Sequence, residues 1–156
     1  MRQSVAGFLA AVALGFVIAP SLGEAYVRRY HGAICMPASS SQSYSYNETF
    51  GMLNGGGGTG LYYCPIQSDD SQAHQLVWQA NVHGQKLNGV GTDSITACTK
   101  YWAATGYFCG YTTTTSAAGT WGLGAWLDGW TSGADFPYIK VFLQPSSSIY
   151  GIFLVS

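Results

Sequence analysis

Three tryptophans and one aspartate form the part of the sequence in which an acidic group and aromatic rings cluster. Trp121, Trp126 and Trp130 are spaced among glycines in the segment AGTWGLGAWLDGW, and Asp128 lies between the last two. Exposed indole rings with uncharged polar neighbours can stack on sugar rings, so this pattern is compatible with a carbohydrate-binding platform. The same rings would also suit sheet and core packing, because aromatic residues are favoured on pleated surfaces.

The other reactive side chains form no recognisable catalytic pattern. No GxSxG elbow is present for a serine hydrolase, and Asp69 and Asp70 lie in the polar segment QSDDSQ, where adjacent acids are normally solvated. His74 and His83 are nine positions apart in one strand region, and this odd spacing puts them on opposite faces of a regular strand. We therefore predict no metal site, no cofactor and no enzymatic activity. A secreted hydrolase with an unrecognised site remains an alternative.

A run of four glycines in the segment NGGGGTGLYYCPI invites comparison with a phosphate-binding loop. Such a loop needs a basic residue and a helix directly after its last glycine. Here Gly60 leads into an aromatic strand segment that ends at Pro65, and no lysine or arginine occurs between Arg29 and Lys86. The sequence therefore predicts that residues 55–58 are a slack connection between two strands.

The first 25 residues are expected to be a secretory signal peptide. A short basic start precedes an uncharged apolar run over residues 5–18, and small residues follow Pro20 up to Ala25. The apolar run is shorter than the roughly 20 residues that span a bilayer, which argues against a membrane anchor. We expect a single secreted domain over residues 26–156, in the extracellular space or the periplasm, with no membrane span in the mature chain.

Four cysteines are consistent with the same oxidising compartment. Three pairings are possible, and we favour Cys35–Cys64 with Cys98–Cys109, which close short loops. A tight hairpin about residues 103–104 would place Cys98 directly opposite Cys109, within disulfide range at a pair that is not hydrogen-bonded. No CxxC motif is present, which argues against zinc.

Charge is scarce in this chain. Charged residues make up 8% of it, whereas hydrophobic residues make up 47% and aromatic residues 15%, so the chain is expected to fold. A net charge of −1 argues against the concentrated basic face that nucleic-acid binding requires. Arg28 and Arg29 are expected to form a solvated N-terminal arm. The low-charge surface suits glycan or extracellular-matrix partners, and it suits self-association equally.

Period-two patterns predict that the elements carrying these residues are strands. Residues 75–83 alternate between apolar and polar side chains, and Asn88-Gly89 after them suits a type I′ hairpin turn. Further strand patterns cover residues 93–102, 106–115, 136–143 and 149–155. The last of these segments, residues 149–155, is apolar on both faces, as is typical of a central strand. Short strands separated by turns in a secreted chain predict an all-β fold, an antiparallel β-sandwich or jelly roll with two disulfides.

Several short motifs extend over most of the chain from His31 onward. They are HGAICMP, YNETFGMLN, GLYYCPI, a VW–NVHG strand and ITAC–CGY. Their outline is a Cys-x-Pro start, a Gly-x-x-Asn step, a Cys-Pro before an acidic loop, and two later cysteines. This outline resembles a group of small secreted proteins of myxobacteria and related bacteria. The resemblance implies a disulfide-linked β-sandwich and carries no catalytic residue onto this chain.

The leading functional hypothesis is a secreted, non-enzymatic surface, matrix or adhesion protein. The first alternative is a carbohydrate-binding module that uses exposed tryptophans, and the second is the hydrolase named above. An exposed row of tryptophans would favour the module, and a cleft that joins a histidine to an acid would favour the enzyme.

Overall fold

The computed structural model describes residues 27–49, 51–66, 79–101, 106–126 and 135–155. The expected signal peptide lies outside these residues. Within them the chain forms eleven strands and one short 3₁₀ turn, Gly32–Ile34. The strands are β1 (Val27–His31), β2 (Met36–Pro37), β3 (Tyr44–Asn47), β4 (Gly51–Asn54), β5 (Gly60–Pro65), β6 (Gln79–Lys86), β7 (Asp93–Tyr101), β8 (Tyr107–Thr115), β9 (Gly119–Trp126), β10 (Asp135–Leu143) and β11 (Ser147–Val155).

The strands form two antiparallel sheets, which confirms the predicted all-β sandwich class. Sheet A has the order β3-β4-β11-β6-β9, and β1 also pairs with β11. Because β6 occupies one edge of β11, β1 and β4 must share the other edge. Sheet B has the order β2-β5-β10-β7-β8. In the part of the chain that the structure describes, no helix is long and apolar enough to cross a membrane.

Alternation along each strand turns one face of each sheet toward a shared core. In β10, Ile139, Val141 and Leu143 are fully buried, whereas the side chains between them are only half-buried. This outcome confirms the alternation predicted for residues 136–143. Burying a side chain of this size stabilises the fold by about 1.5–3 kcal/mol, so the inward row of β10 contributes substantially to the core.

Strand β11 lies in the middle of sheet A, as its doubly apolar sequence predicts. It pairs with β6 along its length, with β4 near Ile149 and with β1 from Gly151 onward. A bulge between these two residues marks the change of partner. At that point Gly32 and Gly51 both approach the carbonyl oxygen of Ile149 so closely that neither position has room for a Cβ.

Both disulfides join the cysteines that the sequence pairs. Cys35–Cys64 links the start of β2 to β5, and Cys98–Cys109 links β7 to β8. Cys98 lies directly opposite Cys109 in the register of that hairpin, which confirms the predicted alignment. Two disulfides are typical of proteins in an oxidising compartment, outside the cell or in the periplasm.

The Asn88-Gly89 hairpin prediction is wrong. Strand β6 continues beyond Gly84 to Lys86 and pairs with β9 and β11 in sheet A, whereas β7 belongs to sheet B. Residues 87–92 therefore cross from one sheet to the other. Gly84 does not end the strand, because it is the point at which the Trp121 ring packs directly against the β6 backbone.

The solvated-arm prediction for Arg28 and Arg29 is also wrong. Both residues belong to β1, with Arg28 opposite Leu154 and Arg29 opposite Phe153 of β11. The edge of β11 beyond β4 would otherwise present unpaired backbone groups, and β1 satisfies them.

Candidate functional site

The structure does not assemble the predicted tryptophan platform within the residues that it describes. Trp121 is 6% exposed and belongs to the core cluster, so its ring offers no face to a ligand. Trp126 is 51% exposed. Trp130 and Asp128 lie outside the described residues. One tryptophan of the predicted set is therefore both described and accessible.

Trp126 stands on the outer face of sheet A, at the edge formed by β9. Its register partner is Gln79, and the two outward positions before it in β9 are Gly124 and Gly122. Side chains of β6 lie over these glycines: Gln79 and Asn81 cover Gly124, and the His83 ring covers Gly122. The surface directly beside Trp126 is thus a layer of amide groups, and the imidazole ring of His83 lies beyond it.

The outer face of sheet B carries a larger aromatic set. Alternation turns Tyr63 of β5, Tyr138 and Lys140 of β10, Lys100 of β7 and Tyr107 of β8 outward. Strand pairing then makes them neighbours, with Tyr63 opposite Lys140 and Lys100 opposite Tyr107. These five side chains line one open depression of about 400 Å³. We call it the tyrosine–lysine face.

The rings and ammonium groups of this face contact one another in defined geometries. The centroids of Tyr63 and Tyr138 are 5.6 Å apart and the ring planes meet at 81°, an edge-to-face pair. The Nζ atom of Lys140 lies 6.0 Å from the centroid of Tyr107 and 5.4 Å from that of Phe142. Cation–π attraction of this kind holds the Lys140 side chain flat along the aromatic surface.

The three tyrosines differ in exposure, and this difference shows in their chemistry. Tyr107 is 62% exposed and Tyr63 is 36% exposed, whereas Tyr138 between them is half-buried. Burial raises the pKa of the Tyr138 hydroxyl above its ordinary value, and the neighbouring Tyr63 and Tyr107 raise it further. The Tyr138 hydroxyl therefore stays protonated in neutral and mildly alkaline solution, where it can both donate and accept a hydrogen bond.

The base of the tyrosine–lysine face is rigid. Tyr138 pairs with Cys98, which is 2% exposed and joined to Cys109 of the neighbouring strand. Strand β10 is paired on both sides, by β5 and β7. A disulfide and two complete strand ladders thus fix the ring positions before any ligand arrives, which lowers the entropy lost on binding.

Within the described part of the chain, the charges on this face have no ion-pair partner. Among the described side chains, neither Lys100 nor Lys140 has a carboxylate within ion-pairing distance. Lys100 is exposed and Lys140 is half-buried along the rings. The face therefore combines hydrogen-bonding aromatic rings with two positive charges, a surface that suits a ligand with apolar ring faces and polar edges.

The histidines do not form a catalytic or metal-binding group in the described part of the chain. The Nδ1 atom of His31 accepts a hydrogen bond from the Ala33 amide at 3.2 Å, so its Nε2 atom carries the proton and donates to the Glu48 carbonyl at 3.1 Å. His83 packs edge-on against Phe153, with the centroids 4.8 Å apart. No group of three or more potential metal ligands occurs among the described residues.

Comparison with protein-family models, with curated proteins and with solved structures finds no match. The resemblance to small secreted myxobacterial proteins therefore stays a prediction. Sequence reasoning singled out tryptophans and missed Tyr63, Tyr138 and both lysines. The outward alternation of Tyr138 and Lys140 in β10 was visible in the sequence. What the sequence did not reveal was that β5 and β7 flank β10, because such pairing joins segments far apart in the chain.

Proposed function

We propose that this protein is an extracellular glycan-binding protein of the surface, matrix or adhesion type. In this proposal a polysaccharide chain lies across the tyrosine–lysine face of sheet B. The supporting observation is that three tyrosine rings and two lysine side chains share one open and rigid sheet face. The carbohydrate-binding hypothesis is thereby kept, with tyrosines in place of tryptophans.

A polysaccharide fits this face because both combine apolar ring surfaces with polar groups. A sugar ring has a face of C–H groups that packs on an aromatic ring and a rim of hydroxyls that hydrogen-bonds. Tyrosine offers both an apolar ring and a polar hydroxyl. The face runs across β5, β10, β7 and β8, which spans roughly 14 Å at ~4.8 Å per strand. That width suits an oligosaccharide segment better than a single sugar.

Other partner classes fit the surface less well. Two lysines on a chain of net charge −1 do not make the concentrated basic stripe that binds nucleic acid. The depression is shallow and open on its outer side, whereas enzyme sites are usually enclosed clefts that exclude water. An adhesive glycan contact needs neither enclosure nor a catalytic group.

The test is glycan binding by tyrosine variants of the whole oxidised protein. Tyr63→Ala and Tyr107→Ala should each weaken the binding of soluble polysaccharides by roughly fivefold or more, a loss comparable with the about 1–3 kcal/mol that an aromatic ring contributes by stacking on a nucleic-acid base. The matched control is Tyr111→Ala, since Tyr111 is 82% exposed on the same strand as Tyr107 but does not line the face. Affinity electrophoresis against a panel of neutral and acidic polysaccharides measures the loss.

Two outcomes would contradict the proposal. The first is that the wild-type protein binds no polysaccharide of the panel. The second is that Tyr111→Ala weakens binding as much as Tyr63→Ala does, which would place the binding surface elsewhere.

A further inference from the structure

We infer that the glycan is an acidic one, whose uronic-acid carboxylates are bound by Lys100 and Lys140; this inference rests on the proposed function. The chain has six lysines and arginines in all, and two of them line this single depression. Two like charges that share a surface repel each other. An anionic ligand would relieve that repulsion.

The strand register shows how the two ammonium groups come to border one ring. Along β10, Lys140 and Tyr138 stand two residues apart on the same face, and the next outward position faces Lys100 of β7. The Nζ atom of Lys140 lies 6.0 Å from the centroid of Tyr107. Tyr107 is the direct register partner of Lys100. Both lysines are therefore neighbours of Tyr107, Lys140 through its ammonium group and Lys100 through the strand register.

This arrangement fits a carboxylated sugar better than a bare anion. A sugar ring stacked on Tyr107 would have its edge directed toward the lysines, where a carboxylate replaces the primary alcohol in a uronic acid. Lysine ammonium is a flexible point charge, and it tolerates the varied carboxylate positions of a repeating polymer. An inorganic anion would use the charges and leave the rings without a partner.

The desolvation balance also favours the acidic ligand. Lys140 is half-buried, and its Nζ atom already lies near the rings of Tyr107 and Phe142. Its ammonium group is therefore partly desolvated and partly ordered before binding, so that an ion pair formed here loses less side-chain freedom than one at a fully exposed lysine.

The experiment compares polymers that share a backbone and differ in whether their carboxyl groups are charged or esterified. Polygalacturonate and its full methyl ester share one backbone and differ in the carboxylates, and alginate with its propylene glycol ester forms a second pair. The wild-type protein should bind each acid at least tenfold more tightly than its ester, and added NaCl should reduce that preference. The measurement is titration calorimetry on the oxidised full chain.

Charge-removing variants identify the residues responsible. Lys100→Gln with Lys140→Gln should abolish the preference for the acids, so that each acid and its ester bind with similar affinity. The matched control is Arg29→Gln, which removes the same charge from the outer face of sheet A and should keep the preference. Urea denaturation of the variants beside the wild type shows that they are folded.

The outcomes separate the inference from the proposed function. If acids and esters bind equally well, or if Arg29→Gln loses the preference as the lysine variants do, the acidic-glycan inference fails while glycan binding stands. If no polymer of either kind binds, both fail. If single-stranded DNA competes as strongly as polygalacturonate at equal charge, the face recognises negative charge alone. The assignment of a sugar ligand is then overturned.

Discussion

Gly84 shows how one residue without a side chain determines the packing of its surroundings. A Cβ at this position would collide with the Ser148 carbonyl of the neighbouring strand and with the Trp121 ring. Trp121 occupies the place in the core that the missing side chain leaves open. Its burial, and its loss as a ligand-binding candidate, follow from this close contact with β6.

A pair of glycine substitutions tests this account. Gly84→Ala should lower the free energy of unfolding by roughly 1–3 kcal/mol, because neither the carbonyl nor the indole ring can move without disturbing the core. Gly57→Ala, in the glycine run, should change it little or raise it by about 0.4–1 kcal/mol, since nothing lies within 4 Å and the unfolded chain loses freedom. Urea denaturation of both variants measures the difference. Equal effects would contradict the close-packing account.

The glycine run is less slack than its composition predicts. Asn54 at the end of β4 is buried, and its Nδ2 atom donates to the carbonyls of Leu143 at 2.8 Å and Gly58 at 3.0 Å. Its Oδ1 atom accepts from the Gly56 amide at 3.1 Å. One side chain therefore closes the loop, while Gly57 remains open to solvent. As predicted, a strand follows the run, beginning at Gly60.

The two disulfides close chain loops of different length. Cys98–Cys109 closes a sequence separation of 11 and Cys35–Cys64 one of 29. In the chain-entropy model, replacing each pair by alanine should lower stability by about 2.8 and about 3.6 kcal/mol respectively. Urea denaturation of the two double variants beside the oxidised wild type measures both losses. A larger loss from the 11-residue link would show that native-state contacts outweigh the entropy of the unfolded chain.

Local patterns in the sequence predicted most of the strands well, but they did not predict which strands lie side by side. The alternation of β10, the central position of β11 and the β7–β8 register were all visible, because each depends on spacing within a short segment. The sequence did not show that residues 87–92 cross from one sheet to the other, because Asn88-Gly89 is a typical hairpin turn pair. Whether the chain after β6 turns back or crosses to the other sheet depends on which strands pair with β6. In the structure β9 and β11 occupy both of its edges. The tyrosine–lysine face was missed for the same reason.

At the scale of the whole molecule, the two outer faces of the sandwich differ in chemistry. Sheet A presents Trp126, an amide layer and a depression in which Arg29 and His83 contact the Phe153 ring, and sheet B presents the tyrosine–lysine face. Among the described residues, the groups with shifted pKa values are tyrosine hydroxyls. Burial is the main cause that raises the pKa of Tyr46, Tyr62 and Tyr138 above the ordinary value of 10.0.

These raised pKa values predict a loss of stability in alkali. Above about pH 10 the unfolded chain loses its tyrosine protons while the folded chain keeps them. The folded state then binds more protons, so the free energy of unfolding falls as pH rises from about 10 through the raised pKa values. Urea denaturation between about pH 8 and pH 12 follows this fall, and Tyr138→Phe should make it shallower. A stability that stays constant over this range would contradict the prediction.

The positions of β10 and β11 affect when the protein can fold during its synthesis. Each is the central strand of its sheet, and both follow every other described strand in the chain. A ribosome that releases the chain in order exposes residues up to 134 before either sheet has its middle strand. At about 5–20 residues per second, that interval lasts on the order of 7–27 s. Folding of either sheet is thus delayed until β10 and β11 emerge, and most of the chain leaves the ribosome before its sheets can form.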